Sequence, residues 1–98
     1  MKIPKTLKML GYDWKVTVDK KHAGGSFNWA NKKITVGSEF GEQEAILLHE
    51  IMEAIMTDLY MRFRGTEANQ EYQFCFNHTS FCKFHKIFYQ TLKDNKLI

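Results

Sequence analysis

The stretch ILLHEIMEAIM, residues 46–56, is the part of the sequence that decides the fold. Its apolar residues recur every three or four positions, which is the spacing of one face of an α-helix. The surrounding segment EAILLHEIMEAIMTDLYMRF, residues 44–63, continues this spacing and predicts one long helix. Ser38, which is followed by acidic residues, is the expected helix start. The predicted apolar stripe consists of Leu47, Leu48, Ile51, Ala54, Ile55 and Leu59.

The segments before this helix alternate in the manner of β-strands. Every second residue of YDWKVTVD, residues 12–19, is apolar, which indicates a strand with one covered face. TLKML, residues 6–10, predicts a short strand, and SFNWANKKITVG, residues 26–37, predicts two more around a turn at residues 30–32. Together these segments predict a small antiparallel sheet of three or four strands.

A second helical pattern lies near the end of the sequence, after a predicted break at RGTEANQ, residues 64–70. Asn95 is its expected C-terminal cap. We therefore expect residues 1–98 to form a single α+β domain in which a small sheet precedes two helices. The residues that repeat at helical spacing are Phe74, His78, Phe81, Cys82, His85, Phe88, Tyr89 and Leu92.

The composition fits one small globular domain, because 44% of the 98 residues are hydrophobic. The formal charge of +3 is spread over scattered lysines, so nucleic-acid binding is permitted and not indicated. We find no secretory signal and no apolar run long enough for a bilayer, which predicts a cytoplasmic protein without a membrane partner. Cys75 and Cys82 are expected to be reduced thiols in the core. The aromatic stripe is also expected to belong to the core; its members are Phe74, Phe81, Phe84 and Phe88.

Three polar residues interrupt the apolar run of the long helix. His49 and Glu53 are one helical turn apart on nearly the same face, and Glu50 is displaced by about 100°. Zinc binds histidine nitrogen and carboxylate oxygen, so His49 and Glu53 are candidate ligands for Zn²⁺. Zinc peptidases carry the pattern His-Glu-x-x-His, and here Glu53 stands in place of the second histidine. Glu50 would then be the general base that takes a proton from water.

A third zinc ligand has to come from elsewhere in the chain. His78 is the preferred candidate, because it opens the final helix on the stripe that packs toward the rest of the domain. The alternatives are His85, Glu67 and Glu71, with His22 the least favoured. His49 could equally be a core histidine in a structural polar cluster, in which case the domain would be a binding protein.

The segments KIPKTLKMLGYDWKV, WANKKITV, LLHEIMEAI and LKDNKLI together resemble a family of small phage and prophage proteins. More distantly, the chain is similar to zincin metallopeptidases, including the ImmA/IrrE-type enzymes of mobile elements. The likeness implies a minimal zincin-like fold, with His49 as a zinc ligand, Glu50 as base, Glu53 in place of the second histidine and His78 as the matching later histidine. It also implies that the strand at residues 33–36 is an edge strand to which a peptide adds.

Two functions follow as expectations from this resemblance. The first is a phage-type zinc metallopeptidase-like protein in the cytoplasm of an infected or lysogenic host, with a peptide as partner. The second is a catalytically inactive protein that binds and inhibits or regulates a host protein on the same scaffold.

Overall fold

The computed structural model describes residues 2–38, 42–65 and 71–98. A four-stranded sheet is followed by a helix, a two-stranded sheet and a second helix, which confirms the predicted α+β class. The elements in chain order are β1 (Thr6–Met9), β2 (Tyr12–Asp19), β3 (Gly25–Asn28), β4 (Lys33–Gly37), α1 (Gln43–Asp58), β5 (Arg62–Arg64), β6 (Tyr72–Phe74) and α2 (His78–Asp94).

The larger sheet has the strand order β1-β2-β4-β3 and is mixed. β1 pairs with β2 and β3 pairs with β4 in antiparallel register, but β2 and β4 run parallel. The prediction of a wholly antiparallel sheet is therefore wrong at its centre. The reason is that β3 takes the outer position, so that the chain returns and inserts β4 beside β2.

This topology also places β4 inside the sheet, with β2 on one side and β3 on the other. The expectation that residues 33–36 form an edge strand is wrong for that reason. The edge strand on this side of the sheet is β3.

The core lies between the sheet and α1, which contacts both β3 and β4. The alternation of β2 buries Trp14 and Val16, and Trp14 is tied to the chain reversal before it by an Nε1–H that donates to the Met9 carbonyl at 3.1 Å. Four of the six predicted stripe residues of α1 are fully buried: Leu47, Ile51, Ala54 and Ile55. The helical periodicity therefore identified the inward face of α1 correctly.

Helix α1 is shorter than predicted at both ends, since it begins at Gln43 with Glu42 as N-cap and ends at Asp58. Tyr60 adopts a positive φ of 57°, and the Met61 N–H donates to the Met56 carbonyl at 2.8 Å. This is the hydrogen-bond pattern of a left-handed helix C-terminus, which usually contains glycine. The prediction that the helix continues to residue 63 is wrong, because the chain reverses here and enters β5.

Helix α2 begins at His78 and has Asn95 as C-cap, both as predicted. Its N-terminus is a capping box: the Ser80 N–H donates to Asn77 Oδ1 at 2.9 Å, and the Asn77 N–H donates to Ser80 Oγ at 3.0 Å. The capped start explains why Phe74 lies in β6 instead of in the helix.

The region from β6 through α2 corrects two core predictions. Phe84 is buried and Phe88 packs against the core, but Phe74 and Phe81 are exposed. The cysteines are free thiols as predicted, yet Cys75 is exposed and Cys82 is half-buried, so neither belongs to the core. Spacing alone overestimated how much of this helix the rest of the domain covers.

The end of α2 is fastened to the outer strand β1. Asn95 Oδ1 accepts from the Lys8 N–H and Asn95 Nδ2 donates to the Lys8 carbonyl, each at 2.8 Å. One side-chain amide thus joins residues that are 87 positions apart in the sequence.

In the three described ranges, no helix is both long and apolar enough to span a bilayer.

Candidate metal centre

One face of α1 brings together the three polar residues that interrupt its apolar run. Within the described residues, His49, Glu50 and Glu53 form the one group of three His, Cys, Asp or Glu side chains whose potential ligand atoms all lie within 4.8 Å of one another. The group follows from helical geometry, because positions i and i+4 are stacked and i+1 lies at their side. Its donors, one imidazole nitrogen and two carboxylates, are of the kind that zinc binds.

His49 and Glu53 contact each other directly. His49 Nε2 lies 2.8 Å from Glu53 Oε2, a hydrogen-bond distance for an imidazole and a carboxylate. The side chain of His49 is 66% exposed and that of Glu53 is 20% exposed. Both groups can therefore be reached by an ion from solvent.

Glu50 differs from its two neighbours because it is only 4% exposed. Its Oε2 is buried and has no hydrogen-bond partner among the described residues. Burial raises the pKa of Glu50 above its ordinary value of 4.5, and the nearby charge of Glu53 raises it further, while His49, Arg62 and His22 act in the opposite direction. A buried carboxylate with an unsatisfied oxygen is costly for folding alone, which makes it a candidate for chemistry.

Gly25, the first residue of β3, permits the close approach of the sheet to this part of α1. A Cβ atom at Gly25 would lie 2.6 Å from Ile46 Cγ2 and 2.9 Å from Glu50 Cγ. The same contact forms one wall of an open pocket of about 360 Å³. The lining residues are Gly24, Gly25, Glu42, Ala45, Ile46, His49 and Glu50.

The β5–β6 hairpin also reaches the group through Arg62, whose Nε lies 4.0 Å from Glu53 Oε1. The Arg62 guanidinium stacks on the ring of Tyr72, with Cζ 3.6 Å from the ring centroid. Hydrogen bonding from Arg64, together with the charge of Arg62, lowers the pKa of the exposed Tyr72 hydroxyl. A positive charge therefore adjoins the carboxylate that is predicted to replace a histidine.

Among the described residues, the candidates for the third ligand are not in the group. His78 is exposed at the start of α2, and its ring nitrogens lie 3.7 and 3.8 Å from Cys82 Sγ. His85 and Glu71 are exposed as well, and Glu67 lies outside the described residues. His22, the least favoured candidate, is the one whose charge contributes to lowering the pKa of Glu50.

Arg62 and Gly25 are the residues of this region that sequence reasoning missed. The predicted helix of residues 44–63 includes Arg62, and nothing in the spacing of Arg62 predicts a contact with Glu53. The contact depends on the chain reversal at Tyr60, where no glycine marks the helix end. Gly25 lies one residue before the predicted strand segment 26–37, and its lack of a side chain is what lets β3 approach Glu50.

Comparison of the chain with models of protein families, with curated proteins and with solved structures found no match.

Proposed function

We propose that the protein is a zinc-dependent, peptidase-like protein of a phage or prophage that acts in the cytoplasm of its host. His49 and Glu53 hold the ion, and Glu50 is the general base. The observation that carries this proposal is the group on α1: three donors within 4.8 Å of one another, one of which is a buried carboxylate beside a pocket.

The environment of each residue suits this division of roles. A bound zinc ion would supply a Lewis acid that polarises the carbonyl group of a peptide. His49 and Glu53 are accessible and can turn toward an ion, whereas Glu50 is held between α1 and β3. Because burial raises the pKa of Glu50, its ionised form is a stronger base than an exposed carboxylate and can pass the proton on to a leaving amine.

The position of β3 at the edge of the sheet supports a peptide as the substrate. An extended peptide can add to an exposed strand through main-chain hydrogen bonds. Gly25 of β3 is also a wall of the pocket that contains His49 and Glu50. A peptide on this edge would therefore pass beside the proposed base. The strand to which the peptide adds is thus β3 instead of residues 33–36.

The first experiment measures the zinc content of protein that has been loaded with zinc and desalted. We expect one zinc ion per chain in the wild type and its loss in His49→Ala and in Glu53→Ala. Asp58→Ala is the matched control, since it removes an exposed carboxylate from the same helix. A wild type that retains no zinc would contradict the proposal.

The third ligand is identified by the same measurement on His78→Ala, His85→Ala, His22→Ala and Glu71→Ala. We expect one of these four variants to lose zinc, because a zinc site with an open position usually has three protein ligands and the group on α1 provides two besides the base. If His78→Ala retains zinc, the assignment of His78 is wrong, and the variant that loses zinc identifies the ligand.

The role of Glu50 requires a separate measurement, namely cleavage of a mixed peptide library followed by mass spectrometry. We expect Glu50→Gln to bind zinc as the wild type does, because the amide keeps the shape of the side chain, and to lose at least about 100-fold in cleavage rate. Unchanged cleavage by a zinc-loaded Glu50→Gln variant would show that another group is the base.

A second candidate function is binding to a host protein, and exposed aromatic residues favour it. Phe74, Phe76 and Phe81 are all exposed where β6 joins α2, and the rings of Phe76 and Phe81 stack at 6.2 Å. Phenylalanine is enriched at protein interfaces, and grouped exposed apolar side chains often mark them.

The two candidate functions are distinguished by the binding of variants to proteins of a bacterial lysate. The variants are His49→Ala and the double variant Phe76→Ser/Phe81→Ser. A host-protein binder retains its partner in His49→Ala and loses it in the phenylalanine variant. If the phenylalanine variant still binds the partner protein, the second candidate function is wrong.

A further inference from the structure

Arg62 is unusually enclosed for an arginine at the start of a short strand. Its side chain is only 14% exposed, and its Nε is buried without a hydrogen-bond partner among the described residues. A buried donor that lacks a partner destabilises the folded state, because it has given up its hydrogen bonds to water. Folding alone therefore does not account for the direction in which this guanidinium points.

Three elements hold the guanidinium in place. Its Cζ lies 3.6 Å from the ring centroid of Tyr72 in β6 and 5.0 Å from that of Phe27 in β3. Its Nη1 donates to Thr57 Oγ1 at 3.2 Å, and this hydroxyl in turn donates to the Glu53 carbonyl at 2.8 Å. The guanidinium is thus held by two aromatic rings and by a hydrogen bond that leads back to α1.

The orphaned Nε faces the carboxylate of Glu53. Nε lies 4.0 Å from Glu53 Oε1, beyond the length of a hydrogen bond, while Glu53 Oε2 lies 2.8 Å from His49 Nε2. Each carboxylate oxygen therefore has a different neighbour, the imidazole on one side and the guanidinium on the other. A carboxylate has lone pairs enough for both a metal ion and a hydrogen-bond donor.

We propose that Arg62 is the positioning residue of the metal centre: its Nε–H donates to Glu53 Oε1 when the other oxygen of Glu53 binds a metal ion. The inference rests on the proposed function, since it requires Glu53 to be a ligand. Ligating carboxylates are themselves hydrogen-bonded as a rule, and the charge of Arg62 offsets the negative charge that Glu53 introduces in place of a neutral histidine. The same bond gives the buried Nε–H its missing partner.

The test measures zinc affinity by competition with a coloured chelator in the wild type, Arg62→Lys and Arg64→Lys. Lysine keeps the charge but lacks the planar arrangement of donors, so electrostatic repulsion of the ion stays nearly constant. We expect Arg62→Lys to bind zinc at least about 10-fold more weakly, the usual size of such an effect. Arg64→Lys is the matched control, because Arg64 lies on the same strand and also stacks on Tyr72, and its affinity should stay within about twofold.

A second arm distinguishes positioning of Glu53 from general support of the hairpin. In Glu53→His the carboxylate is absent and the ligand is an imidazole, so Arg62 has no carboxylate to hold. We expect Arg62→Lys to change the zinc affinity of Glu53→His by less than about threefold. An equal loss in both backgrounds would mean that Arg62 supports the hairpin alone, and the proposal would be wrong.

The visible absorption of the cobalt-loaded protein gives a readout of the ligand itself. We expect the absorption bands of Arg62→Lys to differ in position or intensity from those of the wild type. The bands of Arg64→Lys should superimpose on the wild-type bands. If Arg62→Lys and the wild type have the same spectrum and the same zinc affinity, the proposed role of Arg62 is wrong. The proposed zinc site would not be contradicted by that result. A wild type that takes up neither metal would overturn the proposed function itself.

Discussion

Both helices carry a histidine with a second potential ligand one turn later, and the two pairs differ in what lies behind them. In α1 the pair His49–Glu53 adjoins the buried carboxylate of Glu50 and the enclosed guanidinium of Arg62. In α2 the pair His78–Cys82 lies on the outer face of the helix. The spacing of the two pairs is the same, so it is buried charge around the pair that makes α1 the candidate site.

The helices also differ in how deeply they are built into the domain. Five residues of α1 are buried, namely Leu47, Glu50, Ile51, Ala54 and Ile55, whereas α2 buries two, Phe84 and Thr91. Helix α1 therefore provides a rigid base on which a site can be built, and α2 covers the domain from one side.

The largest expected difference between the helices is the cost of removing a side chain. We expect Ile51→Ala to lower the free energy of unfolding by about 2–5 kcal/mol, because it leaves a cavity at a fully buried position. Phe81→Ala removes a larger but exposed side chain from α2 and should change the free energy of unfolding by no more than about 0.5 kcal/mol. Chemical denaturation of both variants measures this, and similar losses would contradict the comparison.

The second prediction concerns the effect of the buried Glu50 of α1 on the pH dependence of stability. It is measured on protein treated with a chelator. Because the native pKa of Glu50 lies above that of the unfolded chain, native protein keeps a proton that the unfolded chain has released. Stability should therefore fall as the pH rises from about 4.5 through the native pKa and stay level above it. Glu50→Gln should lack this fall.

Asp58→Asn, at an exposed carboxylate of the same helix, is the control for this pH effect. Thermal unfolding between pH 4 and pH 8 provides the measurement. Parallel pH profiles for Glu50→Gln and the wild type would contradict the burial of an ionisable Glu50.

A smaller difference lies at the helix N-termini. Asn77→Ala removes the capping box of α2 and should cost about 1 kcal/mol of stability. Glu42, the N-cap of α1, makes no side-chain capping hydrogen bond, so Glu42→Ala should be close to neutral. Urea unfolding of the two variants compares the caps directly, and equal costs would mean that Glu42 does cap α1.

The smallest effect should be the same in both helices. Tyr60 and Lys96, which follow α1 and α2, both have positive φ angles, 57° and 55°. A left-handed conformation costs an L-residue about 1 kcal/mol, so Tyr60→Gly and Lys96→Gly should each stabilise the protein by up to that amount. A thermal midpoint that falls in either variant would contradict this account of the helix ends.

The sequence predicted those features that depend on local periodicity. The apolar spacing of residues 46–56 identified the inward face of α1, and the same spacing placed His49 and Glu53 side by side. The end of α2 at Asn95 was also predicted, because asparagine is common at helix C-termini. The capping box of Asn77, which starts α2 at His78, was not predicted.

The features that were not predicted depend on contacts between distant segments. The parallel pairing of β2 with β4 requires β3 to take the outer position, and alternation does not encode strand order. The C-terminal end of α1 and the β5–β6 hairpin were missed because a tyrosine, and not a glycine, adopts the left-handed conformation after α1. Arg62 could not be connected with Glu53 before that reversal was known.

The amide of Asn95 has a consequence for solubility. By occupying both the N–H and the carbonyl of Lys8, it covers the outer edge of β1 at one residue, as a neighbouring strand would. Uncovered strand edges are sites where copies of a protein join into extended sheets. Asn95 therefore protects one border of the sheet from self-association, and β3, next to the group on α1, is the other border.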